Sequence, residues 1–90
     1  MTWKWFSAKE LHDAVTFADA GGISIYENAL RGKEKAKLMG PNQNTLMEAA
    51  KELGLQSRWI IKGHRPHFDL KGEPLREAKR RCRAVEESTN

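Results

Sequence analysis

The sequence predicts a small single α/β domain in which three helices pack on a short three-stranded sheet. Apolar side chains recur at helical spacing in several segments that are bounded by caps, glycine or proline, and residues 23–26 alternate in the manner of a strand. The chain has 90 residues, of which 39% are hydrophobic, which suffices for one modest core. We therefore expect one domain over residues 1–90, with a frayed tail at residues 86–90.

Composition excludes several classes of protein. The single cysteine, Cys82, rules out an intramolecular disulfide framework and suits a reducing compartment. No apolar run approaches the ~20 residues of a membrane span, and the start of the chain lacks the apolar core of a signal peptide. We expect a cytoplasmic protein that binds no membrane and needs no cofactor; its oligomeric state is left open.

The charge is distributed unevenly along the chain. The net charge is +4, but residues 1–30 carry −2 and residues 31–83 carry +8. A basic region of this size favours an anionic partner, although it also serves solubility.

The first 22 residues predict a strand or arm followed by a helix. Trp3 and Trp5 alternate around Lys4, which predicts a short edge strand or an arm that covers the core. Ser7 and Glu10 form a capping box. The helix is expected over residues 7–20, and a glycine pair at 21–22 ends it. Its predicted apolar stripe consists of Leu11, Ala14, Val15, Phe17 and Ala18, and His12 is expected on the surface.

The middle of the chain alternates between clear and ambiguous patterns. Residues 23–26 predict a strand with Glu27 at its exit. The basic segment 29–44 predicts either a short helix over residues 29–39 or a mobile loop. A second helix is expected over residues 45–53, with Thr45 and Glu48 as a capping box, Asn42 and Asn44 as alternative caps, and Gly54 as its end. Its buried stripe would be Leu46, Ala49, Ala50 and Leu53.

The last third predicts strand, turn, edge strand and helix. Residues 58–61 have the composition of a strand, a turn follows at 62–63, and Pro66 makes residues 67–70 an edge strand or strand start. Pro74 suits the first turn of a final helix. One face of this helix would be apolar (Leu75, Ala78, Cys82 and Val85) and another basic (Arg76, Lys79, Arg80 and Arg83).

The candidate site is the stretch between the last two helices, where cations, histidines and aromatic residues are concentrated. The candidate ligand-binding residues are Arg58, Trp59, Lys62, His64, Arg65, His67 and Asp69, together with Arg76 and Arg80 on the last helix. Arginine binds phosphate oxygens through two parallel hydrogen bonds, and Trp59 and Phe68 would offer stacking faces for bases. The alternative is that both aromatics are core residues, which we favour for Trp59, and that Arg58 pairs with Asp69.

From about residue 25 to 86 the chain resembles a small family of bacteria and their phages that is known only as a domain of unknown function. The resemblance rests on Met47-x-Ala49-x-x-x-Leu53-Gly54-Leu55-x-x-Arg58-Trp59 and on His67-Phe68-Asp69-Leu70; the pieces Arg76-x-Ala78 and Ala84-Val85-Glu86 are weaker. The family has two successive acidic residues in its first strand, and here the second of them is replaced by Asn28. The family's histidine and aspartate before the middle helix are missing from residues 38–42. Residues 1–22 lie outside the match. The resemblance implies a fold and the position of a site, and no activity.

We expect a binding module for an anionic, phosphate-bearing partner, either nucleic acid or a nucleotide. One alternative is a phage-type effector that binds and inhibits a host protein, since aromatic and arginine residues suit a compact interface. Another is an acid–base enzyme acting on a phosphate ester through His64, His67 and Asp69, with Glu27 nearby. A metal site at these three residues is disfavoured by the surrounding cations.

Overall fold

The computed structural model describes residues 1–28 and 34–88, and side chains up to residue 82, as a four-stranded mixed sheet with three α-helices. In chain order the elements are β1 (Trp3–Phe6), α1 (Leu11–Asp19), β2 (Ile23–Glu27), β3 (Ala36–Met39), α2 (Gln43–Glu52), a 3-10 turn (Ser57–Trp59), β4 (Phe68–Leu70) and α3 (Gly72–Ser88). The α/β class and the three helices are confirmed, whereas the expected three-stranded sheet is wrong by one strand.

The sheet follows the order of the chain, β1-β2-β3-β4. β1 pairs in parallel with β2 because α1 carries the chain back across the sheet between them, and the other two pairings are antiparallel. β1 and β4 are therefore edge strands, as the tryptophan alternation and Pro66 predicted.

One face of the sheet carries most of the hydrophobic core. The register places Ile25 opposite Leu38 and Leu38 opposite Phe68, so that alternate residues of each strand point to this face. α2 and α3 cover it. The buried cluster consists of Trp3, Ile23, Ile25, Ala36, Leu38, Leu46, Ala49, Ala50, Leu53, Phe68, Leu70, Leu75, Ala78 and Cys82. The predicted stripes of α2 and α3 are thus confirmed, and Val85 lies outside the described side chains.

The opposite face of the sheet is covered by α1. Ala14 and Ala18 are small and fully buried, which lets α1 approach the sheet closely. Ser24, on this face of β2, is also fully buried, and its hydroxyl donates a 2.6 Å hydrogen bond to the Ala14 carbonyl. Burial of this hydroxyl is therefore compensated, as a buried polar group requires.

The ends of the helices correct some expected caps and confirm others. Asn42, not Thr45, caps α2, since its side chain accepts a 2.9 Å hydrogen bond from the Thr45 amide. α1 begins at Leu11 instead of residue 7. The Glu10 carboxylate accepts the Ser7 amide in the turn before the helix, and this hydrogen bond lowers the pKa of Glu10. Gly21, with φ 112°, ends α1: its amide donates to the Ala18 carbonyl (3.0 Å), and the amide of the following glycine donates to the Phe17 carbonyl (3.1 Å).

Three other expectations are wrong in the described residues. Residues 36–39 form β3, not a helix or loop, because Ala36 and Leu38 alternate into the core; residues 29–33 of the ambiguous segment lie outside the described residues. Residues 58–61 are not a strand. Leu11, expected on the apolar stripe of α1, is 49% exposed because it is the first residue of the helix. The rest of that stripe is confirmed, since Val15 and Phe17 pack against the buried cluster that contains Ala14 and Ala18.

Within the described part of the chain, none of the helices combines the length and the apolar character that crossing a membrane would require.

Gly54 gives a test of how α2 ends. It has φ 78° and an added Cβ would meet no atom within 4 Å, so Gly54→Ala should act only through backbone strain. We expect a loss of about 1–2 kcal/mol in the free energy of unfolding, measured by urea denaturation.

Gly63→Ala is the matched control, because Gly63 is equally open and has no positive φ. Equal stabilities of the two variants would contradict the assigned conformation at Gly54.

Candidate functional site

The segment from α2 to β4 is irregular but held by backbone hydrogen bonds at both ends. In the 3-10 turn the Trp59 amide donates to the Gln56 carbonyl (3.0 Å) and the Ile60 amide to the Ser57 carbonyl (3.2 Å). Further along, Ile61 and His67 exchange two hydrogen bonds of 2.8 and 3.0 Å. The intervening residues 62–66 therefore form a short loop on a fixed base.

In residues 59–61 of this segment one side chain points to the core and its two neighbours point to solvent. Ile60 has extended geometry (φ −61°, ψ 137°) and packs against the core. Its neighbours point outward, so that Trp59 is 49% exposed and Ile61 is 40% exposed. The preference for a core position of Trp59 is therefore wrong: Ile60 occupies the inward position, and the turn before it directs Trp59 away.

Two cations flank these exposed apolar side chains. Arg58 and Lys62 are exposed and form no ion pair with any residue in the described ranges. The sequence contains no acidic residue between Glu52 and Asp69. The expected pairing of Arg58 with Asp69 is thus not formed. We call Arg58, Trp59, Ile61 and Lys62 the 58–62 surface.

Arg65 lies next to this surface, but it is engaged in holding the fold together. Its Nη2 donates to the Gly40 carbonyl (3.0 Å) and lies 2.8 Å from the Asp19 carboxylate. Its Nε is buried and has no hydrogen-bond partner among the described residues. The side chain ties the 62–66 loop to the end of α1 and the end of β3, and Asp19 compensates its charge.

His64 and Arg65 also line a cleft beside the first turn of α2. The cleft has a volume of about 220 Å³ and is lined by Gly40, Pro41, Asn42, Gln43, Leu46, His64, Arg65 and Pro66. It is small for an organic ligand, since such pockets usually have several hundred Å³.

His67 and Asp69 lie on the same side of the chain, as predicted. The His67 Nδ1 is 3.0 Å from the Arg65 carbonyl, and because a carbonyl only accepts, Nδ1 is the donor. Its Nε2 is 3.8 Å from the Asp69 carboxylate, which is too long for a hydrogen bond. Asp69 therefore does not fix the orientation of the histidine. The backbone carbonyl does.

Glu27, the other carboxylate considered for an acid–base site, is not brought to this pair. The strand register places Asp69 opposite Lys37. It places Leu70 opposite Ala36, and Ala36 is in turn opposite Glu27 on the neighbouring strand. Glu27 and Asp69 thus point to opposite faces of the sheet. In the described part of the chain, no group of three or more His, Cys, Asp or Glu residues could hold a metal ion.

The basic face of α3 is largely compensated by carboxylates. Arg76 pairs with Glu73 and Arg80 with Glu77. Hydrogen bonds from Arg80 and Arg81 lower the pKa of Glu77, and the one from Arg80 has the larger effect. Lys79 pairs with Glu34 and lies 5.2 Å from the Trp5 ring centre; the Arg83 side chain lies outside the described set.

Sequence reasoning missed the long-range partners of two arginines. Arg81 bridges helices, with its Nη1 2.8 Å from the Glu52 carboxylate and its Nε 3.2 Å from Glu77. Its guanidinium also lies 5.3 Å from the Trp3 ring centre. Only the i,i+4 spacing of Glu77 and Arg81 was visible in the sequence. The other two partners, Glu52 of Arg81 and Asp19 of Arg65, are distant along the chain.

Comparison with known proteins assigns no family to this site. No family model, no curated protein and no solved structure matches the chain. The resemblance to the uncharacterised bacterial and phage family therefore stays a prediction.

Phe68 and Trp59 should differ sharply in their contribution to stability. Phe68 is 1% exposed, so it is a core residue and offers no face for stacking. Phe68→Ala should lower the free energy of unfolding by about 3–5 kcal/mol, whereas Trp59→Ala should change it by about 1 kcal/mol or less. Urea denaturation followed by circular dichroism measures both, and similar losses would contradict the assigned positions.

Proposed function

We propose that this protein is a binding module for a phosphate-bearing partner and that the 58–62 surface makes the contact. The observation that carries the proposal is an exposed tryptophan between two cations that have no carboxylate partner in the described structure. Such cations can bind phosphate oxygens without first giving up an ion pair. The notable feature is therefore the local charge of this surface, more than the net charge of the chain.

The remaining predicted site residues contribute less directly. Arg76 and Arg80 would have to leave Glu73 and Glu77 to bind an external anion. Arg65 would have to leave Asp19, which would also release the loop. His64 is exposed beside Arg65 and is suited to a secondary contact.

A protein partner is the second candidate, and Ile61 favours it. An exposed isoleucine has no obvious use against phosphates, whereas tryptophan, arginine and an aliphatic neighbour together are typical of an interface hot spot. An acid–base enzyme has less support, because Asp69 does not orient His67 and Glu27 points to the other face.

The test is anisotropy of labelled DNA and RNA oligonucleotides, both single- and double-stranded, titrated at low and near-physiological salt. We expect binding that weakens with salt and that is reduced in Arg58→Ala and in Lys62→Ala. Each removed phosphate contact should make the slope of log affinity against log salt shallower by about 0.7–0.9.

Lys9→Ala is the matched control, because Lys9 is exposed, has no ion pair in the described structure and lies outside the 58–62 surface. It should bind like the wild type. Absence of binding to every oligonucleotide at low salt, or equal losses in Lys9→Ala and Arg58→Ala, would overturn the proposal.

A further inference from the structure

We infer that the partner of the 58–62 surface is single-stranded nucleic acid, with one base stacked on Trp59. This inference rests on the proposed function and narrows it from phosphate-bearing partners in general to one class. It depends on how Trp59 is presented and on how the charges lie around it.

The exposure of Trp59 suits a base that is not already stacked. In a duplex the faces of the bases are covered by their neighbours, and a protein reaches only their edges and the backbone. A single strand presents free base faces, and their stacking on aromatic side chains does not depend strongly on sequence. Trp59, about half of whose surface is exposed, is suited to offer such a face while its backbone remains attached to the fold.

The platform is held in place before any ligand binds. The Trp59 amide is hydrogen-bonded in the 3-10 turn, and the next residue, Ile60, packs against the core. Little backbone freedom is therefore lost on binding, which improves affinity. Ile61, two positions along the same side, would lie against the sugar or the next base.

The two cations are placed next to the platform in the sequence. Arg58 precedes Trp59 directly and Lys62 follows Ile61, so the charges flank the two apolar side chains. This arrangement predicts a short site with about two phosphate contacts. For a single strand, two contacts correspond to a slope of log affinity against log salt of about −1.4.

The experiment compares a labelled oligothymidylate with a duplex of the same length, using the full chain and four variants, one of which is the Arg58→Ala variant of the preceding test. Trp59→Ala should weaken single-strand binding by about 5- to 150-fold, the range that corresponds to loss of one stacked base. Trp59→Phe should retain part of the affinity because it keeps an aromatic face. Leu11→Ala is the control, since Leu11 is exposed to the same extent and lies on α1.

Intrinsic fluorescence gives a second readout that does not depend on affinity alone. Trp3 is buried and Trp5 is half-buried, so quenching on addition of the single strand should arise mainly from Trp59 and should be lost in Trp59→Phe. Circular dichroism of each variant verifies that the fold is retained.

The outcomes separate this inference from the proposed function. Preference for the single strand, with loss in Trp59→Ala and retention in Leu11→Ala, supports it. Binding of the duplex as tightly as the single strand, or unchanged affinity in Trp59→Ala while Arg58→Ala is impaired, overturns the inference and leaves the phosphate-binding proposal standing. No binding to either oligonucleotide at low salt overturns both and directs attention to a protein partner.

Discussion

The packing of β2 on both faces is the constraint on which the rest of the structure depends. Ile23, Ser24 and Ile25 are fully buried, because α1 covers one face of the strand and α2 and α3 cover the other side of the sheet. The hydroxyl of Ser24 donates a hydrogen bond to the Ala14 carbonyl. The one polar side chain among these three buried residues therefore has its partner in α1. β1 pairs with one edge of this strand and β3 with the other, and β4 lies beyond β3.

The candidate surface is attached to this scaffold by a small number of specific contacts. The backbone pairing of Ile61 with His67 extends the β4 side of the sheet by one bridge. Arg65 links the neighbouring loop to Asp19 and to the Gly40 carbonyl. An irregular segment that is anchored in this way can expose a tryptophan in a defined orientation. A free loop of the same composition would lose part of its binding free energy in ordering.

The distribution of ion pairs determines which of the basic residues are available to an external anion. On α3 the cations with described side chains pair with carboxylates and serve the fold: Arg81 joins α3 to α2, and Lys79 joins it to Glu34 before β3. Exposed pairs of this kind contribute little stability individually, but they reduce the field that an external anion would meet. Arg58 and Lys62 are different, because no acidic residue lies near them in sequence and none pairs with them in the described structure. Net charge alone does not distinguish these two groups.

The sequence by itself determined the features that depend on neighbours along the chain. The apolar stripes of α2 and α3, the glycines that end α1 and α2, the strand at 23–26 and the edge strand after Pro66 all follow from spacing and local backbone preference, and the structure confirms them. The concentration of cations and aromatics at residues 58–69 was also visible. Only the tertiary structure decided what these residues face. β3 exists because Ala36 and Leu38 meet strands on both sides. Ile60 turns inward and leaves Trp59 in solvent, Phe68 enters the core, and Arg65 finds Asp19, 46 positions earlier in the numbering. Such pairings depend on the path of the chain through space, which local patterns do not encode.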